Sequence, residues 1–148
     1  MRQRTMQAML SGSNSLLSLG PAQTSDAGAF ELRTSRVFHL QDMPAHTGAN
    51  GTESRSMVRG RLATGEWVAV HESTQPKNAE PVALHRIRHT ELLCVREGTV
   101  EFEHDGIKQR ASAGDILFVA NGTLHRVVNV GNGPAAYFVV AIGGDVQR

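Results

Sequence analysis

The sequence predicts an all-β domain, either a sandwich or a barrel of short strands. Stretches of β-forming residues follow one another from Arg36 onward, and Gly-containing turns separate them. No stretch repeats its apolar residues at the roughly 3.6-residue spacing of an amphipathic helix. The chain has 148 residues, a length that suits one domain with a sizeable core. We therefore expect a β-domain at residues 31–148 and a separate tail at residues 1–30.

The predicted strands are short, and turn or loop signals separate them. Asp105-Gly106 lies between two strand-like stretches and is the clearest hairpin signal in the chain. Residues 74–81 are expected to form a loop because Pro, Asn and other loop-forming residues dominate them. The predicted strands cover residues 37–40, 55–62, 66–71, 91–96, 99–103, 107–110, 116–119, 124–130 and 135–142.

The first thirty residues are rich in Ser, Gly, Ala and Gln and show no clear period. Arg2 and Arg4 precede an interrupted apolar stretch that Ala22-Gln23 follows, which is the outline of a weak export signal. The alternative is a poorly structured tail. We expect a cytoplasmic protein, with export to the periplasm as the alternative. No run of roughly 18 apolar residues occurs, so no membrane span is expected.

Charge and cysteine content exclude several classes of function. The formal net charge is +1 and the basic residues are scattered, so we expect no nucleic-acid partner. Cys94 is the single cysteine, which excludes a disulfide framework and a cysteine-based zinc site.

Residues 91–95 form a nearly continuous apolar strand. A strand with one face in water usually alternates apolar and polar residues. Because this strand does not alternate, we expect its outer face to be covered by the N-terminal segment or by a second subunit. A homodimer is therefore expected.

Two stretches of the chain concentrate imidazole and carboxylate groups, which are ligands of catalytic transition metals. His85, His89 and Glu91 lie in the first stretch, and His125 lies in the second. On a straight strand His85 and Glu91 would lie about 20 Å apart, because each residue adds roughly 3.3 Å. One ion binds its ligands at roughly 2.0–2.3 Å. A shared ion therefore requires a sharp bend at residues 88–90, with Glu91 at the start of a new strand.

These stretches resemble the two sequence motifs of the cupin superfamily, small metal-binding jelly-roll barrels. The first motif is His-x-His, three or four residues, Glu, six residues and Gly, and it is matched by His85, Glu91 and Gly98, with Ile87 at the second His. The second motif is Gly, five residues, Pro, one residue, Gly, two residues, His, three residues and Asn, and it is matched by Gly114, Gly122, His125 and Asn129, with Ala120 at the Pro. The resemblance covers roughly residues 55–143 and implies a cupin jelly-roll barrel, a double-stranded β-helix.

The resemblance also implies one divalent transition metal, Fe, Mn, Ni or Zn, held by three His and one Glu. With Ile87 in the motif, the remaining set is His85, Glu91 and His125, the two-imidazole, one-carboxylate combination of non-haem iron oxygenases. His89 supplies a third imidazole if the bend turns it inward, and otherwise it points to solvent or packs beside Arg88. The alternative for the whole set is a structural remnant in a barrel without metal.

The mouth of a jelly-roll barrel is the natural pocket for a small molecule. We assign five residues to the lining of this pocket, while noting that a lone His and aromatic residues are more often structural. The assigned residues are Trp67, His71, Ile87, Phe118 and Asn129.

The favoured function is a dioxygenase-like enzyme that acts on a small organic molecule with a bound metal. A non-redox isomerase or epimerase is the alternative, with His85 or Glu91 as general base and Tyr137 as acid. A small-molecule or metal sensor without turnover is the third possibility.

Overall fold

A computed structural model describes residues 31–147 of the chain, and the predicted tail and export signal at residues 1–30 lie outside the described part. Apart from one 3₁₀ turn at Leu40–Asp42, every regular element in residues 31–147 is a β-strand. The all-β prediction is therefore confirmed. The strands are β1 (Glu31–Leu32), β2 (His46–Thr47), β3 (Glu53–Leu62), β4 (Trp67–Gln75), β5 (His85–Arg86), β6 (Thr90–Glu97), β7 (Thr99–His104), β8 (Ile107–Ser112), β9 (Ile116–Val119), β10 (Leu124–Asn129) and β11 (Ala135–Ile142).

The strands form two sheets that face each other across the core. The larger sheet has seven strands in the order β1-β3-β4-β11-β6-β9, with β2 paired to β3, and the smaller sheet has four in the order β5-β10-β7-β8. Chain-neighbouring strands often lie in different sheets, as in a double-stranded β-helix. Apolar residues that alternate along β6, β7, β9 and β10 fill the space between the sheets. No helix among residues 31–147 has the length and apolar character needed to cross a membrane.

Most of the predicted turns and bends are observed. Asp105 and Gly106 both adopt positive φ, at 48° and 79°, which is the conformation of a two-residue hairpin turn between β7 and β8. The chain also bends where one shared ion requires it, because β5 ends at Arg86 in the smaller sheet and β6 begins at Thr90 in the larger one. The strand predicted at residues 37–40 is wrong. Val37 is 74% exposed and none of residues 37–40 is fully buried, so this segment has little apolar burial to offset the entropy of strand formation.

The outer face of the larger sheet is apolar. Val70, Val140, Leu92 and Phe118 follow one another across β4, β11, β6 and β9 in register. Ile116 and Phe118 are 65% and 61% exposed, so the described residues leave the β9 edge of this face open. We call it the outer apolar face, and it consists of Val70, Leu92, Ile116, Phe118, Val140 and Ile142.

Candidate functional site

A cavity of about 300 Å³ lies between the two sheets and contains most of the predicted ligands. His85 and His125 reach it as a cross-strand pair from β5 and β10. Glu91 reaches it from the beginning of β6, directly after the bend. We call this space the central cavity, and it is lined by Asn50, Thr52, His71, Ser73, Gln75, Val82, His85, Glu91, Leu93, His125, Val127, Tyr137 and Val139.

The hydrogen bonds of His85 and His125 determine which ring nitrogen carries the hydrogen in each neutral ring. Nδ1 of His125 lies 3.1 Å from the carbonyl of Thr123, and Nδ1 of His85 lies 3.3 Å from that of Ala83. A carbonyl oxygen only accepts, so each Nδ1 carries the hydrogen that it donates. In the neutral ring this leaves the lone pair on Nε2, as in metal-binding histidines that are oriented by a backbone carbonyl.

Glu91 and His125 lie at a separation that one ion can bridge. Nε2 of His125 lies 3.8 Å from Oε2 of Glu91, which is longer than a hydrogen bond. Two ligand atoms that each bind one ion at about 2.0–2.2 Å can lie up to about 4.2 Å apart. The ring centroids of His85 and His125 are 4.5 Å apart, so His85 adjoins this pair. Among residues 31–147, however, no three His, Cys, Asp or Glu side chains are placed to hold an ion.

His89 faces Glu91 but does not line the central cavity. Its Nε2 lies 2.9 Å from Oε1 of Glu91, and its Nδ1 lies 2.7 Å from Oδ1 of Asp145. Burial by itself lowers the pKa of His89, but the hydrogen bonds to Asp145 and Glu91 outweigh it and raise this pKa. Both ring nitrogens thus face carboxylate oxygens. The expected ligand role of His89 must be corrected, because neither nitrogen is available to an ion in this arrangement.

Of the residues assigned to the pocket lining, only His71 lines the central cavity. Ile87 is 7% exposed and packs in the apolar core. Phe118 points outward because its inward neighbours on β9 are Leu117 and Val119, both buried. Trp67 lies at the first residue of β4 and does not border the cavity. The assignments to the cavity lining must therefore be corrected for four residues, Trp67, Ile87, Phe118 and Asn129.

Asn129 stabilises a loop instead of binding a ligand. Its Nδ2 donates to the carbonyls of Gln75, Pro76 and Gly133 at 2.9–3.1 Å. Its Oδ1 accepts the backbone N–H of Gly131 at 3.0 Å. The side chain therefore joins the end of β10 to the end of β4 and to the turn before β11.

Tyr137 presents a protonated phenol to the central cavity. Burial raises the pKa of Tyr137 to about 12, although a hydrogen bond from Gln75 partly opposes this shift. Nε2 of Gln75 donates to the phenol oxygen at 2.8 Å. The phenol is therefore neutral at physiological pH, and its hydrogen remains available to donate to a ligand in the cavity.

Two imidazoles of the cavity, those of His71 and His125, have lowered pKa values. Burial lowers the pKa of His71 and that of His125, and the negative charge of Glu91 opposes the shift in both. Both rings are therefore neutral near pH 7, which is the state that coordinates metals.

Two residues that matter to the site were not predicted from the sequence. Gln75 lies four residues after His71 along β4, so the same alternation that turns His71 inward also turns Gln75 inward. Gln75 falls in the stretch expected to form a loop at residues 74–81, so the alternation was not extended to it. Asp145 lies in the C-terminal turn, and nothing in its local sequence indicates that it contacts His89.

A larger groove of about 530 Å³ lies beside β7, β8 and β9. Phe118, His104 and Arg110 line it, and it contains none of the predicted ligands. The central cavity is smaller but contains His85, Glu91 and His125, so it remains the candidate site.

The fold and these motifs agree with what comparisons find. A family model described as the cupin domain matches residues 70–141. The chain therefore carries a cupin domain. No match was found among curated proteins.

Several solved cupin structures resemble this cupin. An RmlC-like cupin from Shewanella frigidimarina has a TM-score of 0.61 at 20% identity, covering 73% of this chain and 91% of its own. An RmlC-like double-stranded β-helix protein from Methanocaldococcus jannaschii has a TM-score of 0.58 at 15% identity, covering 78% and 95%. A sugar phosphate isomerase of the superfamily from Silicibacter pomeroyi has a TM-score of 0.60 at 18% identity, covering 72% and 74%. At these identities the likeness establishes the fold alone.

Proposed function

We propose that this cupin binds one divalent transition metal and a small organic molecule in the central cavity, with His85, Glu91 and His125 as ligands. The observation that carries the proposal is the arrangement of Glu91 and His125. Their facing atoms, 3.8 Å apart, are too distant for a hydrogen bond and close enough for a shared ion. The backbone hydrogen bonds of His85 and His125 support it, because they leave Nε2 free to coordinate.

His71 is the candidate for the imidazole that the motif lacks at Ile87. It lines the same cavity from β4, and Glu91 interacts favourably with its protonated form. No hydrogen bond joins its ring to any residue in the described range 31–147. The full donor set of the proposal is therefore three imidazoles and one carboxylate, with the third imidazole from a different strand.

A first-row ion such as Fe, Mn, Ni or Zn would supply Lewis acidity and open positions for a substrate oxygen and for dioxygen. The protein would orient the substrate and limit the access of water. Tyr137 would donate a hydrogen bond to the substrate, and the apolar walls formed by Leu93, Val127 and Val139 would enclose the substrate. A dioxygenase-like reaction on a small organic molecule is the favoured activity.

Metal analysis of the purified protein tests the proposal. We expect one first-row ion per chain after purification or after titration with Fe²⁺, Mn²⁺, Ni²⁺ and Zn²⁺. Glu91→Ala and His125→Ala should abolish retention, because each removes one of the two best-placed ligands. His39→Ala is the matched control, since this exposed histidine lies outside the cavity. Wild-type protein that takes up none of the four ions would refute metal binding.

A non-redox isomerase or epimerase is the second candidate. Glu91 and the protonated Tyr137 face the same cavity, as a base and an acid that act on one substrate must. The Silicibacter pomeroyi relative is named as a sugar phosphate isomerase. Turnover that survives complete chelation and is lost in Glu91→Gln would favour this function. Oxygen consumption with flavonols, catechols or thiol acids would favour the dioxygenase. Ligand binding without turnover would favour a sensor.

The proposed assembly is a homodimer that packs through the outer apolar face. A flat sheet face can pack against its own copy about a two-fold axis. Ile116 and Phe118 stand exposed on β9, at the edge of this face, where burial would be favourable. Phe118→Asp should convert a dimer to a monomer in analytical ultracentrifugation, whereas Val37→Asp, at an exposed site elsewhere, should not. A monomeric wild type at micromolar concentration would contradict the assembly.

A further inference from the structure

A continuous chain of acidic and imidazole groups leads from the protein surface to the central cavity. It begins at Asp145, passes through both nitrogens of His89 at 2.7 and 2.9 Å, and reaches Oε1 of Glu91. The other carboxylate oxygen of Glu91 faces His125 at 3.8 Å. The side chain of Asp145 is 36% exposed and that of His125 is 3% exposed, so the chain runs from solvent into the core.

The outer end of this chain is held by the C-terminal turn at residues 143–146. Gly143 donates its N–H to the carbonyl of Trp67 at 2.8 Å, and Val146 donates to Gly143 at 3.1 Å. The guanidinium group of Arg59 donates to the carbonyl of Val146 at 2.8 Å. Two strands of the larger sheet, β3 through Arg59 and β4 through Trp67, thus hold the turn in place on either side of Asp145.

The turn also contacts the bend that carries His89. Asp145 donates its N–H to the carbonyl of Arg88 at 3.3 Å. A Cβ added to Gly144 would lie 1.8 Å from that carbonyl oxygen and 2.9 Å from Cα of His89. Because backbone packs directly on backbone here, only glycine fits, and the position of Asp145 relative to His89 is fixed by the fold.

We propose that Asp145 is a positioning residue for the Glu91 carboxylate, acting through the His89 ring. This inference rests on the proposed function, in which Glu91 is a ligand. Glu91 has rotatable side-chain bonds and two equivalent oxygens, so by itself it would sample several orientations in the cavity. His89 holds Oε1, which leaves Oε2 directed toward His125. Asp145 in turn holds the His89 ring from the opposite side, as outer-shell carboxylates do for ligand groups.

His89 therefore belongs to the site in a different role from that of a ligand. A second imidazole in the first motif would have bound the ion directly, whereas His89 orients the carboxylate that does so. The C-terminal turn becomes part of the binding site although it lines no part of the cavity.

Titration with Co²⁺ tests the proposal, because the visible spectrum of this ion reports ligand geometry as well as affinity. Asp145→Ala should weaken Co²⁺ binding by about 10–100-fold and change the band shape, as loss of an outer-shell partner does. Asp145→Asn should restore part of the affinity, since its amide oxygen can still accept from His89. Asp42→Ala is the matched control, because this carboxylate is exposed and does not line the central cavity.

Nuclear magnetic resonance of the histidine rings without metal supplies an independent measurement. Asp145→Ala should shift the ring nitrogens of both His89 and His125, because contacts through His89 and Glu91 link Asp145 to His125. A merely structural contact would shift His89 alone. Gly144→Ala should produce the same changes by displacing the turn. If Gly144→Ala does not fold, Asp145→Ala by itself tests the proposal.

The two proposals fail in distinguishable ways. Wild-type protein that binds no Co²⁺, with His89 and His125 both shifted in Asp145→Ala, refutes the metal and keeps the positioning chain. Unchanged Co²⁺ affinity and spectrum in Asp145→Ala, or an unshifted His125 ring, overturns the positioning role.

Discussion

The ionisation of Tyr137 gives a direct physical test of the central cavity. The chain contains one tyrosine, so the ultraviolet absorbance of phenolate reports this side chain alone. Burial raises its pKa from 10.0 to about 12. A shift of two pKa units corresponds to roughly 3 kcal/mol of preference for the neutral phenol in the folded protein.

The sign of the pH effect follows from where the proton is held. Between pH 10 and about pH 12 the folded protein retains a phenol proton that the unfolded chain releases. The free energy of unfolding should therefore be independent of this group below about pH 10 and fall as the pH rises toward 12. The total loss assigned to Tyr137 is roughly 3 kcal/mol.

The assay is a spectrophotometric titration of folded protein beside the same protein in denaturant. We expect phenolate to appear near pH 12 in the folded protein and near pH 10 in the unfolded chain. Tyr137→Phe should remove the signal. Gln75→Leu should move the folded midpoint upward, because the hydrogen bond from Gln75 stabilises the phenolate. A folded midpoint near pH 10 would refute the reasoning, since it would place the phenol in contact with bulk water.

Two further predictions concern stability, measured by urea denaturation. Asn129→Ala should lower the free energy of unfolding by about 2–4 kcal/mol because four side-chain hydrogen bonds are lost. Asn121→Ala at an exposed turn should change it by less than about 0.5 kcal/mol, and equal effects would contradict the loop-stabilising role. Arg96→Met should cost roughly 2–3 kcal/mol, because within residues 31–147 it leaves the buried Glu72 carboxylate with the hydroxyl of Thr74 as its hydrogen-bond partner. An unchanged midpoint would show that water reaches Glu72.

Some features of the site were readable from local sequence. The bend at residues 88–90 followed from chain geometry alone, because a straight strand cannot bring His85 and Glu91 to one point. The hairpin at Asp105-Gly106 followed from turn chemistry, since both residues tolerate positive φ. Features of this kind depend on residues that are adjacent in sequence, so the tertiary structure does not alter them.

Other features depended on which face of a strand turns inward. Ile116, Leu117, Phe118 and Val119 are all apolar, so alternation does not say which pair faces the core. Pairing of β9 with β6 decides it, by placing Leu117 beside Leu93 and Phe118 beside Leu92. The assignment of Phe118 to the pocket failed for this reason.

The sequence by itself determined the all-β class, the cupin motifs and the need for a bend, because strand periodicity, turn chemistry and ligand spacing are local properties. The role of His89 depends on contacts that the tertiary structure creates. Its two carboxylate partners lie on either side of it, Glu91 two residues away and Asp145 in a turn brought there by the close packing of Gly144 against Arg88. Such a contact joins distant parts of the chain, and the residues near His89 carry no signal of it.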